Sequence, residues 1–367
     1  MNERPAGVPP APQAAPSGPE DPAGSVARFA HASVLVIGDL MLDRYIHGRI
    51  TRVSPEAPVP VLSEEREVAL PGGAGAVVRA LTALGAAVAF ISVVGDDPAG
   101  SDLTGLVGGQ PNVEPWLLVE GGRTTTVKTR FLADGRHLLR SDREQTTPIP
   151  AKLAERVLRI ARDAMAATSL TVLSDYHKGM LAEGLPAALV AAAAQAGRGV
   201  IAAPKGADVA AYAGADVLVL GREDLAIARG RAPGGSADGS MPGGSMPGGS
   251  MPGGSMDDAE AEAAALRAEF GFGAVLVTDA GPDLILVEGG GTTRAASGAG
   301  APVAGGAVAG ALVTDAVVAV LAAGLATRLA LPAAVRLAGL AAGLARRQPG
   351  IGVARAEDLL AAVAAAG

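Results

Sequence analysis

The sequence contains no cysteine, so a disulfide framework, a thiolate nucleophile and a zinc–thiolate site are all excluded. Its four histidines are scattered and form no H-x-x-x-H pair, so any bound metal would have to be held by oxygen ligands. Aromatic residues make up only 2% of the 367 residues, and a hydrophobic core must therefore be built from alanine, valine and leucine. No metal site is predicted from these residues.

Clusters of positive charge are also missing. A formal net charge of −7 without a basic run argues against a nucleic-acid or polyanion partner. The apolar run AVVAVLAAGLATRLALPAAV is interrupted by Arg328 and Pro332 and is rich in alanine, which favours a buried helix over a membrane span. The Pro/Ala-rich N-terminus has no apolar signal-peptide core, so residues 1–30 are predicted to be a disordered tail of a cytoplasmic protein.

Strands alternate with helices along most of the chain. A buried strand is predicted at Val34–Ile37, and helices at 151–167, 184–196 and near 257–270 each lead into a further strand. This alternation predicts an α/β domain over 31–365 with a mostly parallel sheet covered by helices on both faces. Ligands of such domains bind at the carboxyl ends of the strands.

One segment lies outside this pattern. The stretch GSMPGGSMPGGSMPGGSM (239–256) repeats the five residues Ser-Met-Pro-Gly-Gly. So short a period, dominated by glycine and proline, cannot bury one face, so a flexible insert is predicted over 231–256. An expanded linker without a selected function is the preferred interpretation, and a binding role for the methionines is the alternative.

Several segments together form a specific pattern. They are GDLMLDRYIHGRITRVSPEAPVPVL (38–62), PGGAGAVVRALTALGA (71–86), TVKTRFLADGRHLLRSD (126–142), LSDYHKGML (173–181) and APKGADVAAYAGADVLVLGREDLAIARG (203–230). The pattern resembles the PfkB/ribokinase family of carbohydrate kinases, and within it the D-glycero-D-manno-heptose 7-phosphate kinases. The resemblance implies a ribokinase-like three-layer α/β/α sandwich with a small β lid, formed near 46–66 and 123–141. The lid would close over a sugar phosphate and contribute to a dimer contact.

The same resemblance implies a substrate site. Asp39 and Asp43 would accept hydrogen bonds from sugar hydroxyls, and Gly72 and Gly73 would let the backbone approach the sugar. Asp175 would orient the substrate or Lys178. Because several cations that converge on a dianion bind it well, the resemblance assigns four basic side chains to the substrate's phosphate: Lys128, Arg130, Arg140 and Lys178.

Each of these residues also has a simpler explanation. Asp39 follows a buried strand, where a Gly-Asp turn is common, and Asp43 could pair locally with Arg44 on a helix face. Lys128 and Arg130 fall on one face of a predicted strand, where exposure to solvent is the ordinary outcome. Only their joint occurrence supports a binding site.

The nucleotide half departs from the family pattern. The family carries a Gly-Ala-Gly-Asp turn before a long helix, in which the amides hold the transferred phosphoryl group and the Asp accepts the proton. Counting back from VLAAG (320–324) aligns this Asp with Ala311. An alternative alignment places the turn on SGAGA (297–301) and the Asp at Ala301. Asp315 lies one helical turn beyond Ala311, about 6 Å along the axis, and is either the base or a buried or capping carboxylate.

Other nucleotide-site positions are partly retained. The retained candidates for nucleotide binding are Lys205, Asp224, Gly306 and Gly310. Five positions depart from the family pattern. Ala203, Gly221 and Gly305 replace polar residues of the nucleotide half. Ala76 replaces an asparagine next to the sugar, and Asp283 adds a negative charge where the family has a glycine.

Two functions follow from these patterns. The first is a kinase that uses ATP and Mg²⁺ to phosphorylate the anomeric hydroxyl of a heptose 7-phosphate or similar substrate, with a rearranged or weakened catalytic centre. The second is a non-catalytic pseudokinase that binds a sugar phosphate or accompanies an active kinase. Loss of a general base costs typically ~10²–10⁴-fold in rate, so the departures fit either function. The expected partners are a small sugar phosphate, ATP and a second copy or an active paralogue, without nucleic acid or membrane.

Overall fold

Two β-sheets organise the chain. The computed structural model describes residues 21–134, 136–206, 208–230, 256–278, 283–296, 309–347 and 353–366. Within these ranges one sheet has nine strands and the other has four. The helices pack on both faces of the nine-stranded sheet.

The nine-stranded sheet is mostly parallel. Its strands are β1 (Ser33–Gly38), β4 (Ala87–Gly95), β5 (Val113–Glu120), β8 (Leu170–Asp175), β9 (Gly199–Pro204), β10 (Val217–Gly221), β11 (Ala274–Thr278), β12 (Asp283–Glu288) and β13 (Gly291–Ala296), in the order β13-β12-β11-β10-β9-β8-β1-β4-β5. The strands from β11 to β5 pair in parallel, and β12 and β13 pair antiparallel at one edge. Because helices cover both faces, a central strand such as β1 is apolar almost throughout.

The small sheet forms the predicted lid. Its strands are β2 (Leu40–Val53), β3 (Pro60–Gly73), β6 (Val127–Ala133) and β7 (Arg136–Arg143), in the order β3-β2-β6-β7. A single residue, Asp39, separates β1 from β2, so the lid is joined directly to the centre of the large sheet. The dimer contact that the resemblance implies for the lid stays a prediction. The lid exposes five large apolar side chains: Ile50, Val53, Val59, Leu138 and Leu139.

The helices make the two outer layers. On one face lie α1 (Pro22–Arg28), α2 (Ala74–Ala83), α3 (Pro98–Gly108), α8 (Ala309–Ala326), α9 (Leu331–Arg347) and α10 (Ala356–Ala366). On the other lie α4 (Ala151–Ala167), α5 (Leu185–Gln195), α6 (Arg222–Ala228) and α7 (Met256–Phe270). Both cores consist largely of alanine, valine and leucine. The predicted three-layer α/β/α sandwich with a mostly parallel sheet and a β lid is confirmed.

The N-terminal boundary differs from the prediction. The tail was expected to extend to residue 30, but α1 and a 3₁₀ turn at Phe29–His31 lie within that range. Asp21 caps α1, and Val26 and Phe29 are buried in the core, which gives this short helix its tertiary support. Residues 1–20 and most of the predicted insert, 231–255, lie outside the described residues. Among the helices that are described, none has the length and apolarity that crossing a membrane requires.

Candidate active site

The carboxyl ends of neighbouring strands bring the predicted site residues together. Strand β1 leads into Asp39, β8 ends at Asp175, and β9 leads into Lys205. Helix α6 begins directly after β10 and carries Asp224, and α8 brings Asp315 to the same edge of the sheet. The lid strand β2 adds Asp43 from above.

Asp39 holds a loop of the main domain. The residue is 3% exposed, and its carboxylate accepts hydrogen bonds from the backbone N–H groups of Tyr176, Lys178 and Met180, at 2.8, 3.1 and 3.2 Å. Burial and the neighbouring Asp175 raise the pKa of Asp39 to about 6, and the three backbone hydrogen bonds oppose that rise. The resemblance assigns Asp39 to sugar hydroxyls, which stays a prediction, and the structure shows that its carboxylate accepts hydrogen bonds from the loop after β8.

Asp175 supports the same loop. Its carboxylate accepts hydrogen bonds from the hydroxyl of Tyr212 at 2.7 Å and from the backbone N–H of His177 at 2.8 Å. Its carbonyl oxygen accepts a hydrogen bond from the backbone N–H of Lys205 at 2.9 Å. Asp39 and Asp175 therefore fix the backbone of the loop that carries Tyr176 and Lys178.

Asp43 lies on the lid strand β2, beside the end of β3. A Cβ atom at Gly72 would come within 1.9 Å of Asp43 Oδ2, so this glycine makes room for the carboxylate. Asp43 Oδ1 accepts a 2.6 Å hydrogen bond from Arg130, whose guanidinium also lies 5.0 Å from the centre of the Tyr45 ring. Gly73 has φ +60°, where a side chain would meet the backbone oxygen of Asp39.

The four predicted phosphate-binding cations are all in ion pairs. Lys128 and Arg130 lie on the same face of β6, as predicted, and are paired across β7 with Asp142 and Arg140. Lys128 Nζ lies 2.9 Å from Asp142 and 3.2 Å from Glu144. The remaining pairs are Lys178–Glu144 at 2.9 Å, Arg140–Asp142 at 3.1 Å and Arg130–Asp43 at 2.6 Å.

Glu144 joins the lid to the main domain. Its carboxylate bonds Lys128 of the lid and Lys178 of the loop after β8. The hydrogen bond from Lys178, together with that from Lys128, holds the pKa of Glu144 below its usual value. A carboxylate thus lies between the two lysines where the sequence places a phosphate group.

Asp315 lies at the centre of this edge of the sheet. The residue is 6% exposed, and its Oδ1 accepts a 2.5 Å hydrogen bond from the Tyr176 hydroxyl. Burial raises the pKa of Asp315 to about 7, and Asp43 adds to that rise. The Tyr176 hydrogen bond and the charges of Lys205 and Arg79 act in the opposite direction.

The other positions considered for the base and for phosphoryl binding lie at or before the start of α8. Helix α8 begins at Ala309, so Ala311 and Gly310 belong to the same helix as Asp315 and precede it by about one turn. Gly306 lies outside the described residues. Ala301, the alternative position for the base, also lies outside the described residues. Of the three positions weighed for the base, Asp315 is the one with a carboxylate, and that carboxylate lies in the charged cluster.

The nucleotide candidates Lys205 and Asp224 form an ion pair. Lys205 Nζ lies 3.2 Å from Asp224 Oδ2, which also accepts the backbone N–H of Gly221 at 3.3 Å. In the described ranges no group of three or more His, Asp or Glu side chains could hold a metal ion. Magnesium at phosphoryl-transfer sites is usually bound by one or two carboxylates and the substrate's phosphates, and Asp224 fits that role.

Three residues of the site were not singled out from the sequence. Tyr176 stands inside LSDYHKGML, so its segment was recognised but its side chain was not. Arg79 stands inside PGGAGAVVRALTALGA, a segment that was recognised without its arginine, although Arg79 interacts electrostatically with Asp43 and Asp315. Glu144 follows β7, and no local pattern separates it from a surface acid.

Comparisons with known proteins agree with this architecture. The sequence model of the pfkB family carbohydrate kinases matches residues 31–357, so the chain belongs to that family. The chain is 52% identical over 343 residues to the bifunctional protein HldE of Acidiphilium cryptum (strain JF-5), covering 92% of this chain and 65% of that protein. It is 40% identical over 338 residues to the bifunctional protein HldE of Paramagnetospirillum magneticum, covering 92% and 64%. The chain thus spans a little less than two thirds of these relatives, and the family resemblance is confirmed.

Solved structures show the same fold at low sequence identity. Phosphofructokinase-2 from Escherichia coli in complex with potassium gives a TM-score of 0.68 at 16% identity, covering 91% of this chain and 98% of that chain. Arabidopsis thaliana ribokinase complexed with ribose and ATP gives 0.64 at 17% identity, covering 90% and 98%. The ribokinase-like fold is therefore shared with sugar kinases of bacteria and plants.

Proposed function

We propose that this carbohydrate kinase acts in the cytoplasm on a sugar phosphate of the heptose 7-phosphate type, and that it transfers a phosphoryl group from ATP to the anomeric hydroxyl. The observation that carries the proposal is the position of Asp315. This buried carboxylate, with its pKa raised to about 7, interacts electrostatically with Asp43 of the lid and Lys205 of the nucleotide half. A general base works best when its pKa lies near the operating pH.

In the proposed reaction Asp315 accepts the proton of the acceptor hydroxyl. The oxygen then attacks the terminal phosphorus of ATP, the bond from that phosphorus to the bridging oxygen breaks, and ADP leaves with the bond's electron pair. Bound ATP with Mg²⁺ would supply the phosphoryl group, with Asp224 as a candidate magnesium ligand. Lys205 and Arg79 are positive groups near Asp315, and Lys205 would offset charge on the phosphates.

The lid and the loop after β8 would bind the substrate's own phosphate. Lys128 and Lys178 come from these two elements and converge on the carboxylate of Glu144. A phosphate would replace that carboxylate as the partner of both lysines, and closing the lid over the sugar would complete the seat.

Replacing Glu144 by glutamine should therefore tighten sugar-phosphate binding. The amide keeps the shape of the side chain but no longer competes for the two lysines, and accessible ion pairs contribute ~0.5–1 kcal/mol, which corresponds to a dissociation constant about two- to fivefold lower. Isothermal titration calorimetry measures the dissociation constant of the sugar phosphate for the wild-type protein and for the variant. Glu155→Gln, an exposed acid on α4, is the control and should leave affinity unchanged. Weaker binding in Glu144→Gln would instead show that Glu144 orients the lysines for the substrate.

A second candidate function, a non-catalytic sugar-phosphate binder or partner of an active kinase, is favoured by the residues just before Asp315. If Asp315 takes the place of the family's aspartate, the three residues before it correspond to the turn whose backbone amides are free in the family. In this chain those residues, Leu312, Val313 and Thr314, lie within α8. Amides beyond the first turn of a helix are used in its own hydrogen bonds and cannot hold a phosphoryl group. This arrangement favours slow or absent transfer.

Binding and turnover measurements separate the two functions. Calorimetric titration of the purified protein with heptose 7-phosphate and with ATP·Mg, followed by an assay of ADP release, is the direct experiment. The kinase proposal predicts binding of both ligands and ADP release that depends on the sugar phosphate. Binding of the sugar phosphate without nucleotide binding or turnover would support the non-catalytic function.

A further inference from the structure

The tyrosine of the loop after β8 makes a close contact with the proposed base. The Tyr176 hydroxyl lies 2.5 Å from Asp315 Oδ1, across 139 residues of sequence. Burial and the Asp315 charge raise the pKa of Tyr176 well above its ordinary value. The phenol therefore keeps its proton, and Tyr176 is the donor in this hydrogen bond.

The backbone on both sides of Tyr176 is fixed. Its own N–H donates to Asp39 Oδ2 at 2.8 Å, and the next N–H, of His177, donates to Asp175 Oδ1 at 2.8 Å. The N–H groups of Lys178 and Met180 also donate to Asp39. With its backbone tied at successive residues to two buried carboxylates, the loop presents the phenol to Asp315 in one position.

Other charged groups also face this pair. Asp315 is influenced by Arg79 of α2, Lys205 after β9 and Asp43 of the lid, and Tyr176 is influenced by Asp43 and by Asp224 of α6. Among the influences that favour the charged form of Asp315, the hydrogen bond from Tyr176 is the largest, ahead of Lys205 and Arg79. Removing the hydroxyl should thus change Asp315 more than removing either of those charges.

We propose that Tyr176 is a positioning residue whose hydroxyl holds Oδ1 of Asp315 and so orients the carboxylate for the acceptor hydroxyl. This inference rests on the proposed function of Asp315 as the base. The role follows from the hydrogen bond to Asp315 and from the fixed backbone of the loop. A consequence is that Tyr176 keeps Asp315 ionised at lower pH than burial alone would allow.

The variant Tyr176→Phe tests this role. It keeps the ring and removes only the donor, so the charged form of Asp315 loses support and the pKa of its carboxyl should rise by about one unit or more. Carboxyl ¹³C NMR of aspartate-labelled protein measures this directly, with Asp315→Asn identifying the resonance. The acid limb of the kcat/KM profile for sugar phosphate should move upward by the same amount, with KM changing less than kcat and with activity recovering toward high pH.

Tyr212→Phe is the matched control. Tyr212 is a buried tyrosine that, like Tyr176, donates to a buried aspartate, in this case Asp175 at 2.7 Å. Its loss should lower stability comparably but leave the Asp315 titration in place. If Tyr176→Phe does not fold, 3,5-difluorotyrosine at position 176, a stronger donor, should lower the pKa of Asp315.

An unchanged or lower Asp315 pKa in Tyr176→Phe, or a Tyr212→Phe shift of equal size, overturns the inference. Failure of the proposed function has a different signature. If the wild-type protein shows no ADP release, the kinase proposal fails, while the NMR titration still decides whether Tyr176 holds Asp315.

Discussion

Replacing Asp315 by asparagine is expected to lower kcat by about 10²–10⁴-fold, the usual cost of losing a general base. The amide keeps the size of the side chain and can still accept the Tyr176 hydrogen bond, but it cannot take a proton from the acceptor hydroxyl. Sugar-phosphate affinity should be nearly unchanged, because the proposed phosphate ligands Lys128 and Lys178 are untouched. Steady-state kinetics and calorimetry of the same preparation measure both quantities.

The same substitution should make the protein more stable at high pH. The pKa of Asp315 is raised from 3.8 to about 7 in the folded state, so the fold favours the protonated carboxyl. The stability this proton provides is complete below pH 3.8 and is lost as pH rises through 7. The neutral amide of Asp315→Asn avoids this loss, so the variant should gain up to about 4 kcal/mol at pH 8, and the gain should shrink toward pH 4.

Urea denaturation at several pH values measures this effect. Asp163→Asn, at an exposed position on α4, is the control and should leave stability unchanged at each pH. An Asp315→Asn protein that is less active and also less stable at pH 8 would show that the lost activity reflects damage to the fold. In that case the variant says nothing about a base.

Removing the carboxylate of Asp39 is expected to be the most destabilising single change in the site. Asp39→Ala leaves the backbone N–H groups of Tyr176, Lys178 and Met180 without their acceptor. Each buried donor left unsatisfied costs ~1–3 kcal/mol, so the free energy of unfolding should fall by about 3 kcal/mol or more. Since domains are stable by only about 5–15 kcal/mol, urea denaturation should show a large shift.

Two further measurements give this result a specific meaning. Amide hydrogen exchange should accelerate in the loop 176–180, and Asp21→Ala, which removes an exposed helix cap bonded to two amides, should cost only about 1 kcal/mol. If Asp39→Ala is too unstable to purify, Asp39→Asn retains one acceptor oxygen and should show a smaller loss. Unchanged stability with lost sugar affinity would favour the sequence-based role of Asp39 as a sugar ligand.

Local patterns predicted the local elements well. Helix α4 has the predicted bounds, because its amphipathic period is uninterrupted between Pro150 and Thr168. Lys128 and Arg130 share a face of β6 because side chains two residues apart in a strand point the same way. Helix α1 was missed because its seven residues follow a Pro/Ala-rich stretch and depend on a cap and on two buried side chains for their stability.

Contacts between distant residues could not be predicted in the same way. Asp39 bonds a loop 137 to 141 residues away, and Tyr176 bonds Asp315 over 139 residues, so neither contact leaves a periodic pattern in the sequence. Counting along α8 placed Asp315 one helical turn beyond the position expected for the base. That count measures distance along one helix only, whereas the loop after β8 and Lys205 approach Asp315 from other elements.

The pH dependence of ADP release, measured with ATP·Mg and heptose 7-phosphate for the wild-type protein and for Asp315→Asn, tests the role of Asp315 most directly. A base at Asp315 predicts turnover that rises with pH through a midpoint near 7, the pKa of its carboxyl, and that is lost in the variant. Equal ADP release by both proteins at every pH would contradict this role, because the proton would then have to be accepted elsewhere.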